Sequence, residues 1–151
     1  MATPTPVIKI KKLLEEAVMP EIKTDGAVGF DLTAVDNYNI LPTTVMSRAA
    51  MVRTGIAMEL PKGYYATLHM RSSTGRDTKM RLANQTGIID TDYRGEIVLL
   101  VENIGKYAQS ISKGQRIAQM IIHKTVPVKF ELTEELTVTT RNAQGFGSTG
   151  K

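Results

Sequence analysis

Apolar and polar residues alternate with a period of two over Ile8-Lys9-Ile10-Lys11, the pattern of a strand with one covered face. Strand-like runs recur at residues 29–33, 51–54, 55–60 and 64–70, and Pro61-Lys62-Gly63 predicts a hairpin turn between the last two. Residues 96–102 contain Ile97-Val98-Leu99-Leu100-Val101, continuous enough for a buried strand. Lys113-Gly114 marks a turn, and residues 116–123 and 128–132 continue the rhythm. Short strands at regular spacing, without sustained helical periodicity, predict an all-β sandwich, jelly roll or barrel.

Two stretches break the pattern. Residues 72–82 carry serines followed by Asp77, Lys79 and Arg81, and predict a short helix with a serine near its N-terminus. Residues 141–151, Arg141-Asn142-Ala143-Gln144-Gly145-Phe146-Gly147-Ser148-Thr149-Gly150-Lys151, have no periodicity that would fix them to a core. The expected organisation is therefore a β-rich core over residues 1–140 and a mobile arm over 141–151, within one domain. The chain shows no internal repeat and no linker between domains.

Composition narrows the chemistry. A chain of 151 residues with 42% hydrophobic positions suits a single core. It has no cysteine, which excludes disulfides, thiolate nucleophiles and cysteine-ligated zinc. Only His69 and His123 are present, so no HExxH pair exists; a hard metal held by oxygen ligands stays open. No apolar run approaches the length needed to span a bilayer, and the N-terminus does not read as a secretory signal. The expectation is an intracellular, cytoplasmic protein without a membrane segment. The net charge of +4 suits either nucleic acid or small anionic ligands.

The richest stretch is Gly87-Ile88-Ile89-Asp90-Thr91-Asp92-Tyr93-Arg94-Gly95-Glu96. An apolar pair delivers Asp90 from a strand into a turn closed by Gly95, where a carboxylate can orient and deprotonate a water. The same residues suit a plain hairpin whose aspartates bond their own turn. Arg71-Ser72-Ser73 places a permanent cation beside hydroxyls at the start of the predicted helix, an arrangement suited to phosphate and equally to a capped helix. In the arm, Phe146 lies amid glycines with Arg141, Ser148 and Thr149 nearby; it can fray, or close over a ligand with the ring stacked on a base. Asp31 and Gln119 are weak signals singly, since such residues usually cap turns or face solvent.

Taken in order, Ala27-Val28-Gly29-Phe30-Asp31-Leu32, Arg71-Ser72-Ser73, Gly87 to Glu96, Gly114-Gln115-Arg116-Ile117-Ala118-Gln119-Met120-Ile121 and Arg141 to Gly150 resemble the five motifs of the trimeric dUTPases. The third and fifth are the most specific, and the match spans residues 27 to 150. The resemblance implies a jelly-roll-like dUTPase fold with one short helix, and a homotrimer whose active sites are shared between chains. It implies hydrolysis of dUTP to dUMP and pyrophosphate with Mg2+, no nucleic-acid partner and no membrane partner.

By position, the resemblance makes Asp90 the holder of the attacking water. It makes Asp31 a support for the metal through water, with magnesium held mainly by substrate phosphates. Arg71, Ser72, Ser73 and Gln119 would contact phosphates, joined by Arg141, Gly147, Ser148 and Thr149 when the arm closes. Tyr93 would pack on the deoxyribose and exclude a 2′-hydroxyl. Asn84, Ile88, Ile89 and Val98 would read the uracil edge through backbone groups, and Phe146 would stack on the base. Met70, Asn142 and Gln144 depart from residues common in the family. The dCTP deaminases are similar in fold, but their catalytic glutamate would fall at Leu100 here, with Glu102 two residues on.

Overall fold

The computed structural model describes residues 5–143 and residue 145. Ten strands and one helix follow in the order β1 (Lys9–Lys12), β2 (Phe30–Thr33), β3 (Tyr38–Ile40), β4 (Ala50–Glu59), β5 (Tyr64–Met70), α1 (Ser72–Asp77), β6 (Met80–Leu82), β7 (Gly87–Ile89), β8 (Glu96–Asn103), β9 (Gln109–Ile111) and β10 (Arg116–Lys124). The protein is all-β, with antiparallel strand pairing throughout. One four-stranded sheet has the order β1-β4-β8-β6, a second has the order β2-β10-β5-β7, and β3 and β9 form a two-stranded ribbon.

The two larger sheets share one core. Val52, Ile56, Ile97, Leu99 and Val101 line it from the first sheet, and Leu32, Ala66, Leu68, Ile117 and Ala118 from the second; all are buried. Strand alternation divides the second sheet cleanly. Phe30, Leu32, Leu68 and Met120 turn toward the core, which sends Asp31, Thr67, His69 and Gln119 to the opposite face.

Gly55 fixes the bend in β4. Its φ of +68° lies where side chains are disfavoured, and a Cβ there would sit 2.9 Å from both Ala17 Cβ and Val35 Cγ1. The pairing of β4 with β8 shifts register between Arg53 and Ala57 around this residue, and Glu96 Oε1 accepts the Gly55 N–H at 2.8 Å.

Several local expectations are corrected. Pro61-Lys62-Gly63 does not close a hairpin: β4 pairs with β1 and β8, while β5 pairs with β10 and β7, so the turn carries the chain between sheets. The helix ends at Asp77 rather than Leu82, because Met80–Leu82 pairs with β8. As expected, serines stand at its N-terminus: Ser72 and Ser73 open the first turn after the N-cap Arg71, which makes no side-chain capping bond. Residues 128–132 form no strand. Pro127 has no N–H to donate, and Val128, Phe130 and Leu132 stand exposed beyond the end of β10. No helix among the described residues is long and apolar enough to cross a membrane.

Candidate functional site

The site residues fall into two groups at opposite ends of β5. The first centres on Asp31, which sits in the middle of β2 opposite Gln119 of β10 and is only 6% exposed. Three donors reach its carboxylate: Oδ2 accepts from Arg116 Nη1 at 2.8 Å, while Oδ1 lies 3.2 Å from Arg71 Nε and 3.4 Å from Gln119 Nε2. Two permanent cations on one buried anion leave the cluster locally positive, which favours a polyanionic ligand.

The backbone explains how Arg71 arrives there. It directly follows β5, its N–H donates to Ile117 O at 3.2 Å, and Thr74 Oγ1 from the next helical turn donates to the same carbonyl at 3.3 Å. The short helix is thereby tied to β10. Arg71 Nη1 also donates to Arg116 O at 3.3 Å. Gly29 packs over Gln119, where a Cβ would lie 3.2 Å from the side-chain amide carbon, so a larger residue would push Gln119 from its place. Beside the cluster is a hollow of about 330 Å³ lined by Arg71, Ser73, Thr74, Asp77, Gln115 and Arg116. Ser72 is exposed and does not line the hollow. A hydrogen bond and the positive charge from Arg76 hold the Asp77 carboxyl below the usual carboxylate range, so this acidic group is already matched.

The second group is built on the turn after β7. Asp90 is exposed, and its own carbonyl accepts the Tyr93 N–H at 3.2 Å. Arg94 Nη1 donates to Thr91 O at 2.7 Å and to Tyr93 O at 2.9 Å, while Thr91 Oγ1 donates to Tyr64 O on β5. These bonds give the turn a fixed shape. Tyr93 folds back over Gly95, and its hydroxyl donates to Glu96 O at 3.0 Å. A Cβ on Gly95 would lie 2.6 Å from Tyr93 Cζ, so only glycine leaves room for the ring. Asn84 and Ile88 are exposed on the approach to this turn; Ile89 is buried in the core, and Val98 of β8 is half-buried opposite Arg53 of β4.

Within one chain the groups do not meet. Ile89 pairs with Ala66, which puts Asp90 beside the start of β5, whereas Arg71 follows its end. Six residue steps along a strand, at about 3.3 Å each, separate them by about 20 Å. Arg141 is exposed outside any strand, and Phe146, Gly147, Ser148 and Thr149 lie outside the described residues, as does Gln144.

The structure adds Arg116, which the residue-by-residue reading passed over. Its signal was present, since it lies in the Gly114 to Ile121 stretch three positions before Gln119. What alternation conceals is the register shift between Arg116 and Ala118, which re-aims the side chain toward Asp31. Among the described residues no three histidine or acidic side chains gather as a metal cage.

Comparison with known proteins follows the same lines. A family model described as dUTPase matches residues 15–150. The chain is 38% identical over 143 residues to the deoxyuridine 5′-triphosphate nucleotidohydrolase of Helicobacter pylori strain 26695, covering 95% of this chain and 96% of that one. It is 41% identical over 141 residues to the corresponding protein of a Hydrogenobaculum species, covering 93% and 96%. Among solved structures, a G164S mutant of the dUTPase of Staphylococcus bacteriophage 80alpha with dUpNHpp aligns with a TM-score of 0.87 at 25% identity, covering 97% of this chain and all of that one.

Proposed function

The chain belongs to the dUTPase family, and on that premise we propose that it hydrolyses dUTP to dUMP and pyrophosphate at sites shared between chains of a homotrimer. The observation that carries this reading is the clamp, in which Arg71 and Arg116 are held on the buried Asp31 beside an open hollow. A triphosphate is the polyanion that such a paired-guanidinium site suits.

In this mechanism Asp90 orients a water toward the α-phosphorus and takes its proton as the oxygen attacks. The P–O bond to the β-phosphate bridging oxygen breaks in line, and pyrophosphate leaves. Arg71, Ser72, Ser73, Arg116 and Gln119 bind and orient the phosphates. Asp31 would support Mg2+ on the substrate phosphates, and the metal would supply charge neutralisation there. The described residues gather no acidic cage, and a metal would be carried in on the substrate phosphates. A carboxylate has about four acceptor positions, and three donors reach Asp31, which leaves one for a water of the metal's shell.

Substrate choice rests on the second group. Tyr93, held by Glu96 O, packs on the deoxyribose where a 2′-hydroxyl has no room, and backbone groups at Asn84, Ile88, Ile89 and Val98 read the uracil edge. Phe146 stacks on the base as the arm of Arg141, Gly147, Ser148 and Thr149 closes on the phosphates, worth about 1 to 3 kcal/mol for the ring. The 20 Å between Asp90 and the clamp supports assembly from more than one chain. A dCTP deaminase is disfavoured, because Leu100 has no acid–base chemistry and Glu102 is bound by Arg81 at 2.6 Å.

Pyrophosphate release from dUTP, dCTP, UTP and dTTP, with and without magnesium, tests the proposal. Magnesium-dependent release confined to dUTP is expected. Ammonia release from dCTP, or equal turnover of UTP, would overturn it.

A further inference from the structure

At the start of β8, side chains join the strand to β4 where the backbone ladder slips. β4 takes four residue steps from Arg53 to Ala57 while β8 takes two from Val98 to Glu96, so the two backbones fall out of step. The Glu96 carboxylate bridges the slip from one strand: Oε1 accepts the Gly55 N–H at 2.8 Å, and Oε2 accepts from Arg53 Nε at 3.0 Å. Thr54 bridges it from the other, its buried hydroxyl donating to Ile97 O at 2.6 Å.

We propose that this joint serves substrate selection, with Glu96 and Thr54 as positioning residues that set Tyr93 against a ribose 2′-hydroxyl. The inference rests on the dUTP reading above, in which Tyr93 packs on the deoxyribose, and adds the groups that hold the ring in place. Glu96 is the first residue of β8, and its main-chain oxygen accepts the Tyr93 hydroxyl at 3.0 Å. One residue therefore carries both the carboxylate that fastens the strand to the bend in β4 and the carbonyl against which Tyr93 rests.

Tyr93 needs such a rest. It is 44% exposed, so core packing does not fix it, and its direction depends on Gly95 beneath the ring and the Glu96 carbonyl at its tip. Rejecting one extra oxygen on the sugar requires the ring to stand within about 0.5 Å of its place. A shift of the first residue of β8 passes directly to the hydroxyl and opens that room.

Of the two bonds to the Glu96 carboxylate, the one from Gly55 governs. The Arg53 side chain is 43% exposed, so water screens its ion pair with Glu96, and Asp36 Oδ2 also lies 3.8 Å from its Nη1. Gly55 is buried, and an N–H stranded there is costly, so without its acceptor the bend must move. Glutamine at position 96 keeps an acceptor oxygen for Gly55 and alanine does not. At position 54, serine keeps the donor to Ile97 O and valine removes it at nearly constant shape.

The test compares kcat/KM for dUTP and UTP in Glu96→Ala, Glu96→Gln, Thr54→Val and Thr54→Ser. The alanine and valine variants should lower the dUTP/UTP ratio about tenfold, chiefly by gaining UTP turnover, while the glutamine and serine variants stay within about twofold of wild type. Val101→Ala, a buried change five residues along β8, controls for lost stability and should leave the ratio unchanged. A ratio untouched by the alanine and valine variants, or lowered equally by Val101→Ala, would overturn the proposal. The two positions are independent, so a variant that fails to fold leaves the other decisive. A second measurement needs no substrate: the Tyr93 ring signals in NMR spectra of the full chain, assigned by their loss in Tyr93→Phe, should shift in the alanine and valine variants and hold in the glutamine and serine variants. Unchanged ring signals would defeat the joint alone, whereas a wild-type chain that leaves dUTP intact would defeat the hydrolase reading and the selectivity claim with it.

Discussion

Arg116 reaches from the register shift in β10 to place Nη1 2.8 Å from Oδ2 of Asp31, and so couples the fourth sequence motif to the first. Asp31 is thereby the part on which both guanidinium groups are set. Asp31→Asn should keep the fold, judged by circular dichroism, while KM for dUTP rises about tenfold, equivalent to one weakened charge-assisted bond of about 1.5 kcal/mol. An unchanged KM would mean that the arginines orient themselves.

Asp90 takes no part in the core, so its replacement should spare stability. Asp90→Asn is expected to bind dUTP and to lose turnover by about 10²- to 10⁴-fold. Single-turnover assay with matched binding by calorimetry separates the two effects.

The packing of Tyr93 on Gly95 gives two routes to one phenotype. Tyr93→Ala should admit UTP, and Gly95→Ala should do the same by displacing the ring. The check is the dUTP/UTP ratio of kcat/KM for each variant; a ratio that stays at the wild-type value in both would remove Tyr93 from sugar selection.

Separation of the two groups within one chain predicts complementation. Chains carrying Asp90→Asn and chains carrying Arg71→Ala should each be inactive alone. When co-expressed in equal amounts, they should recover about a quarter of wild-type activity, because a quarter of head-to-tail contacts pair an intact clamp with an intact Asp90. A site formed in cis would recover nothing.

The last described strand ends at Lys124, before the arm begins. Truncation after Thr140 should leave the assembled mass unchanged in sedimentation and reduce dUTP turnover severely.

Much of this was legible from residue order. The alternation in residues 8–11 and the runs at 29–33, 64–70, 96–102 and 116–123 correspond to β1, β2, β5, β8 and β10, and β8 carries the clearest period, burying every second residue from Ile97 to Asn103. Of the four three-residue strands, β3, β6 and β9 are too short for a period to emerge, while β7 was visible only through its apolar pair. The false hairpin at Pro61 arose because a turn signal reports a reversal of direction and says nothing about which sheet receives the next strand. Residues 128–132 alternate convincingly, yet alternation without a partner edge makes no strand. The candidate residues were visible as motifs; the distance between Asp90 and Arg71 was not, since it depends on which end of β5 each adjoins.

That dependence makes β5 a ruler. Its seven residues set both where the clamp begins and where the Asp90 turn is anchored. Inserting or deleting residues within it would misalign every site at once and, at odd numbers, reverse its faces. Length variation in related chains should therefore gather in peripheral stretches such as residues 41–49, while β5 keeps a fixed residue count even where its side chains diverge.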